Sequence, residues 1–189
     1  MATIPFSILD GGDVALEVLQ VIGYRTTLKR ATIVSYNMQD YDFWGHGALS
    51  HLLLRQLNLG ASVRVMTTPP PGKPTRTAFR EKYKLLAALE SKGVEVLLNE
   101  KLHAKAYLFL DSGNFATSII GSVNMTGPGF GLVLTPKDSL IEMAVFTGDP
   151  TVFDKANKFV ETKIVEDKRT VTFGGWFARN SIEIGKAGL

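Results

Sequence analysis

The chain has 189 residues, with 21 Lys and Arg against 18 Asp and Glu, three His and no Cys. That length suits one domain able to bury about two thirds of its unfolded surface without cross-links, and the absence of Cys excludes a disulfide scaffold, a thiol nucleophile and a Cys-built zinc site. A net charge of +3 permits a polyanionic partner but does not demonstrate one. The opening MATIPFSILDGGD has no basic region leading into an apolar run, so no secretory signal is expected. No stretch approaches the roughly 18 uninterrupted apolar residues of a membrane span. A cytoplasmic setting without a membrane partner is expected.

Asp13 to Tyr24 has apolar residues at 14, 15, 18, 19, 21 and 22, which predicts a helix, with Asp13 and Glu17 near the positive end of its dipole. Ala31 to Tyr36 (ATIVSY) is short and β-branched, as a buried strand is. A helix over Gly47 to Asn58 with Gly60 as its stop, a strand over Ser62 to Thr67 and a stiff loop in PPPGKPT follow. Thr75 to Lys92 has helical periodicity through Phe79, Tyr83, Leu86 and Leu89, and Gly93 closes it. Strand-like runs then cover Val94 to Leu98, Leu102 to Leu110, Phe115 to Ile120 and Ile141 to Phe146, and Val152 to Ile164 reads as a closing helix. This order predicts an α/β domain: a mixed sheet with helices on both faces. Residues 1–167 are expected to form the catalytic domain, and 168–189 a C-terminal extension that is loosely packed or interface-forming.

The segment LHAKAYLFLDSGNFATSIIGSVN sets an awkward pair against ordinary core logic. In a strand, His103 and Lys105 share a face while Ala104, Ala106 and Leu108 take the other. If Gly113-Asn114 is a two-residue hairpin loop, cross-strand partners sum to 227, so His103 faces Asn124 and Lys105 faces Ser122. An imidazole, an ammonium, a hydroxyl and a carboxamide then meet, all able to donate hydrogen bonds to anionic oxygens. Such a group suits a phosphoryl transition state, and the imidazole is its natural nucleophile or proton carrier.

His103-Ala-Lys105 followed by Gly121-Ser122-Val-Asn124 resembles the HxK…GSxN signature of the phospholipase D superfamily, with Glu142 standing where that family places a later glutamate. One departure is visible: the family spacing puts an aspartate at Leu110, whereas this chain has Asp111. The resemblance implies a layered fold with one motif per chain and chemistry that needs no cofactor or metal. His103 would attack phosphorus, a second histidine would protonate the leaving oxygen, Lys105 and Asn124 would hold phosphoryl oxygens, Ser122 would support the turn or the phosphate, and Glu142 would orient an imidazole. No second HxK exists, since His46 and His51 have other neighbours. The resemblance therefore implies a homodimer with a composite site.

Lys73, Arg76, Arg80, Lys82 and Lys84 concentrate positive charge opposed only by Glu81, and they read either as a solvated helix face or as a contact surface for a phosphate backbone. Trp44 and Trp176 read as packing residues, and Gly127-Pro-Gly-Phe-Gly131 as a turn beside the site. The expected function is a metal-independent endonuclease acting on DNA, of the small bacterial or restriction-type branch. Two alternatives stay open: a phosphatidyl-group hydrolase or transferase, and a catalytically silent nucleic-acid-binding scaffold.

Overall fold

The computed structural model describes residues 6–130 and 142–189. Its strands are β1 (Phe6–Asp10), β2 (Leu28–Val34), β3 (Ser62–Thr67), β4 (Glu95–Leu98), β5 (Ala106–Asp111), β6 (Ala116–Gly121), β7 (Met143–Thr147) and β8 (Val171–Thr172). They form one sheet in the order β1-β7-β6-β5-β2-β3-β4-β8. The pairs β2-β3 and β3-β4 are parallel and the others antiparallel, so the sheet is mixed, as expected. The helices are α1 (Gly11–Leu19), α2 (Leu49–Asn58), α3 (Thr77–Ser91), α4 (Pro150–Phe159) and α5 (Phe173–Lys186). Both α1 and α4 run on into a wider π-helical turn, at Gln20–Tyr24 and Val160–Val165. Asp10 and Asp149 cap α1 and α4, accepting from the amides of Asp13 at 2.9 Å and Thr151 at 2.7 Å.

Strand alternation divides the core into two layers. Ile33, Val65, Val96, Tyr107 and Phe109 pack with Val14, Leu53, Leu86 and Phe173, so α1, α2, α3 and α5 cover one face. Val34, Met66, Leu97, Ala106 and Leu108 meet Phe153, Val160 and Ile164, so α4 and its π-helical turn cover the other. Periodicity did not disclose β1, β8 or α5. The apolar Phe6 and Ile8 of β1 are mostly exposed, and β8 has only two residues. At α5, the Glu90 carboxylate takes the Gly174 amide at 2.8 Å, and Trp176 packs against Phe79 and Phe173.

The hairpin differs from expectation in a way that bears on the site. Its loop has three residues, Ser112 to Asn114, closed by the Asp111 amide on the Phe115 carbonyl at 3.1 Å. Asn114 alone takes the left-handed conformation (φ +63°). The Asp111 carboxylate holds the Phe115 amide at 2.8 Å, which fixes the wider turn. Ladder partners therefore sum to 226, as Tyr107 with Ile119 and Leu108 with Ser118 show. The expected pairs His103 with Asn124 and Lys105 with Ser122 are not formed: β5 begins at Ala106, and Lys105 lies opposite Gly121, accepting its amide at 3.3 Å. Ile141 of the expected strand Ile141 to Phe146 lies outside the described residues.

Two local constraints stand out. At Gly121 a Cβ would sit 2.2 Å from the Met143 carbonyl oxygen and 2.5 Å from the Ala144 Cα, so β6 and β7 close only over glycine. On α3, Lys82 lies among the buried positions Phe79, Leu85, Leu86 and Leu89 and is only 3% exposed. Burial lowers its pKa from the ordinary lysine value to about 7.

Gly121→Ala is expected to lower the unfolding free energy by roughly 1–3 kcal/mol, the usual cost of overpacking. An unmoved urea midpoint would show that the two strands separate freely. For Lys82 the unfolded chain binds more protons than the folded one between about pH 7 and the ordinary lysine pKa, so its contribution to stability grows as pH rises through that window. The stability of Lys82→Met relative to wild type is accordingly expected to be most favourable at or below about pH 7 and to decline steadily above it. A difference between urea midpoints that stays constant with pH would refute this.

Candidate active site

β2 and β5 run antiparallel with Val34 opposite Ala106, which brings the end of β2 beside the segment that enters β5. β6 ends at Gly121 on the same side. There a cleft of about 490 Å³ opens between the sheet and α4. His103, Lys105 and Ser122 line it together with Ile120, Phe159 and Ile164. His103 is exposed, whereas Lys105 is only 9% exposed. Burial lowers the Lys105 pKa, and the Glu142 carboxylate works the other way.

Tyr36, just beyond β2, faces both His103 and Lys105. Its ring centroid lies 5.4 Å from that of His103 at an interplanar angle of 49°. The Lys105 ammonium stands 5.5 Å from the same centroid, within cation–π range. The next residue reaches the other half of the motif, since the Asn37 amide donates to Asn124 Oδ1 at 3.2 Å. Ser35 Oγ donates to the Asn37 carbonyl at 2.6 Å and accepts from the Met125 amide at 2.9 Å. The Tyr107 hydroxyl, fully buried and with its pKa raised by that burial, donates to the Val123 carbonyl at 2.6 Å. Sequence reasoning placed Ser35 and Tyr36 in a strand and gave them no role. The available signal was their position: polar and aromatic residues ending an apolar strand, where open α/β sheets hold ligands.

Ser122 and Glu142 form a second unit. Ser122 Oγ donates to Glu142 Oε2 and accepts from the Met143 amide at 3.1 Å, while the Ser122 amide donates to the Met143 carbonyl at 3.0 Å. The hydroxyl is thereby held by the start of β7 and not by the β5 ladder. Within one chain, the described hydrogen bond of Glu142 is to Ser122, and its charge is felt at Lys105.

The basic run is not brought to the cleft as a unit. Lys73, Arg76 and Lys84 are exposed. The Arg80 guanidinium donates to the carbonyls of Pro74 at 3.2 Å and Ala187 at 3.0 Å, closing the end of α5. Lys82 turns inward, its Nζ donating to Thr68 Oγ1 at 2.9 Å and to the Tyr36 carbonyl at 3.5 Å. Asp111 serves the hairpin turn at the far end of β5. His46 Nδ1 pairs with the Tyr24 hydroxyl at 2.9 Å, and His51 is exposed on α2. Trp176 packs against Phe79 and Phe173, whereas Trp44 is half exposed in a left-handed turn (φ +51°). Gly127 to Phe130 is buried turn structure following Asn124, and Gly131 lies outside the described residues. Among the described residues no three His, Asp or Glu side chains converge as metal ligands would, and no helix is long and apolar enough to cross a membrane.

No curated protein sequence matches the chain. Among solved structures it is similar to NucT from Helicobacter pylori, at 15% identity and a TM-score of 0.62, covering 90% of this chain and 100% of that one. It is also similar to phosphatidylserine synthase from Haemophilus influenzae Rd KW20, at 9% identity and a TM-score of 0.61 over 87% of this chain. Polyphosphate kinase from Porphyromonas gingivalis aligns at 13% identity and a TM-score of 0.59 over 84% of this chain. The chain spans 38% of the synthase and 26% of the kinase. These likenesses are of fold. The family model described as "Cardiolipin synthase, PLD-like domain" matches residues 24–164, a span that holds His103, Lys105, Ser122, Asn124 and Glu142, and the chain belongs to that family within the phospholipase D superfamily.

Proposed function

We propose that this chain is a metal-independent phosphodiesterase, an endonuclease that cleaves DNA through a phosphohistidine intermediate at a site completed by two copies of the chain. The observation that carries the reading is the opening of His103, Lys105 and Ser122 on one cleft, with Asn124 tied to the same corner through Asn37. Family membership supports phosphodiester chemistry.

In the proposed reaction an imidazole nitrogen of His103 attacks phosphorus, and the bond from phosphorus to the leaving oxygen breaks. The partner's His103, protonated, gives its proton to that oxygen. It then takes a proton from water as the water attacks the phosphohistidine and frees the first imidazole. Lys105 and Asn124 donate to the phosphoryl oxygens as negative charge builds on them. Ser122, with Glu142 on its hydroxyl, holds the turn against which the phosphoryl group rests. The pairing is needed because one chain supplies a single HxK, and the chain spans the whole of NucT but only parts of the two larger neighbours. Lys73, Arg76 and Lys84 are the proposed contacts to the DNA backbone, while Arg80 and Lys82 have other partners.

A second reading, hydrolysis or transfer of a phosphatidyl group, is favoured by one feature. Beside its three polar residues the cleft is lined by Val34, Ile120, Phe159, Val160 and Ile164, a surface suited to hydrocarbon.

The deciding experiment offers supercoiled plasmid and phosphatidylglycerol vesicles, each in EDTA, to wild type and to His103→Ala. Wild type is expected to nick the plasmid, and His103→Ala to lose more than about 10³-fold of the rate. Cleavage that requires a divalent metal or survives the substitution would sink the mechanism, and turnover of lipid alone would select the second reading. Sedimentation at active concentrations is expected to give a dimer, whereas an active monomer would remove the composite site.

A further inference from the structure

Three hydroxyl and amine donors converge on one main-chain carbonyl, that of Tyr36. Thr68 Oγ1 reaches it at 2.8 Å, Thr67 Oγ1 at 3.3 Å and Lys82 Nζ at 3.5 Å, and Lys82 also donates to Thr68 Oγ1 at 2.9 Å. The lysine has no carboxylate within ion-pair distance among the described residues, and a buried amine of that kind is costly where a leucine or methionine would pack. The carbonyl it supports belongs to the residue whose ring faces both His103 and Lys105. Tyr36 is 43% exposed, so the core does not account for it.

We propose that Tyr36 is a positioning residue that sets the orientation of the His103 imidazole and the Lys105 ammonium, and that Lys82 anchors it through Thr68 and the Tyr36 carbonyl. The proposal rests on the phosphodiesterase reading for its kinetic consequence but not for its structural one. Thr68 faces the Lys82 amine from just past β3 and the Tyr36 carbonyl faces it from just past β2, while Thr67 donates to that same carbonyl. On its own helix Glu81 and Lys84 are exposed. Beyond the ring stand His103 and Lys105, and Glu142 acts on the latter. Burial lowers the Lys82 pKa to about 7. The strut therefore loses its charge and one of its three N–H donors within the range where an imidazole titrates.

The test compares Tyr36→Leu, Tyr36→Phe, Thr68→Val and Lys82→Met with wild type. The first readout is the His103 ring in nitrogen-proton NMR through the neutral pH range. The second is kcat and KM on bis(p-nitrophenyl) phosphate. Tyr36→Leu and Lys82→Met are expected to shift the His103 ring resonances and its titration midpoint, and to lower kcat by about 10- to 100-fold with KM little changed, as misplacement of a reacting group does. Tyr36→Phe, which keeps the ring, should recover most of that loss. A step near pH 7 in the wild-type Tyr36 and Asn37 amide shifts should vanish in Lys82→Met. His103 resonances and titration that superimpose on wild type in Tyr36→Leu and Lys82→Met overturn the proposal, as does a loss confined to KM. A wild type without turnover would defeat the functional reading alone, since the NMR arm still decides this one. If Lys82→Met does not fold, Thr68→Val and the surface variant Tyr36→Leu give the same readout.

Discussion

The hydroxyl of Ser35 is the interaction on which the arrangement of the site depends. It is wholly buried, and it joins the Asn37 carbonyl to the Met125 amide beside the isolated parallel bridge of Met38 and Met125, where the Gln39 amide donates to the Met125 carbonyl at 3.0 Å. The Ser35 amide is itself fixed by the Met66 carbonyl at 3.0 Å, so the parallel ladder of β2 and β3 extends one residue past the end of β2. From that point the chain carries Tyr36 toward His103 and Lys105, and Asn37 toward Asn124. Two motif segments, each at the end of a different antiparallel strand, are thus referred to one main-chain strut. An unpaired buried amide or carbonyl costs about 1–3 kcal/mol, so the strut has little freedom to relax while Ser35 is in place.

Much of this was legible in the sequence where local rules and tertiary packing agree. Ser62 to Thr67 alternates cleanly, and the observed strand has those same limits. The Thr75 to Lys92 periodicity appears as α3, shortened by two residues at its start and one at its end. The hairpin was misjudged by one residue because the Asp111 carboxylate captures the Phe115 amide and leaves Asn114 alone in the left-handed region. One residue of loop displaces every cross-strand pair. The motif residues nevertheless gather, because Ser122 is placed by β7 and Asn124 by Asn37, contacts distant in sequence that no spacing rule reveals. In the same way α5 carries three glycines and little periodicity, and it is held by Glu90 and an aromatic cluster contributed by α3.

The glycine of the Gly-Ser-x-Asn segment has a steric meaning that sequence alone did not supply. β6 and β7 approach so closely at Gly121 that the Met143 carbonyl occupies the place of a side chain. That approach delivers the Met143 amide and carbonyl to Ser122. The serine is then fixed at three points, which on the proposed reading is preorganisation for an anionic group. The basic run from Lys73 to Lys84 illustrates the opposite outcome. Charges that look equivalent along the sequence separate into an inward strut at Lys82 and a cap on α5 at Arg80, with exposed cations at Lys84 on α3 and at Lys73 and Arg76 ahead of it.

The electrostatics of the cleft turn on the partial burial of Lys105. Little of the residue is exposed although it lines the cleft, and burial disfavours its charge while the Glu142 carboxylate acts against that trend. The Glu142 carboxylate accepts from the Ser122 hydroxyl, however, so part of its hydrogen-bonding capacity is spent away from the lysine. The Tyr36 ring also lies within cation–π range of the ammonium, a contact weaker than a second carboxylate would make and one that does not repel an anion. A phosphoryl group entering on the proposed reading therefore meets a cation whose desolvation cost was met in part during folding, and binding recovers attraction that water would otherwise have screened. A salt-bridged lysine in the same place would first have to give up its partner. On the proposed reading, the aromatic residue just past β2 belongs to the phosphoryl site together with the lysine whose ammonium it faces.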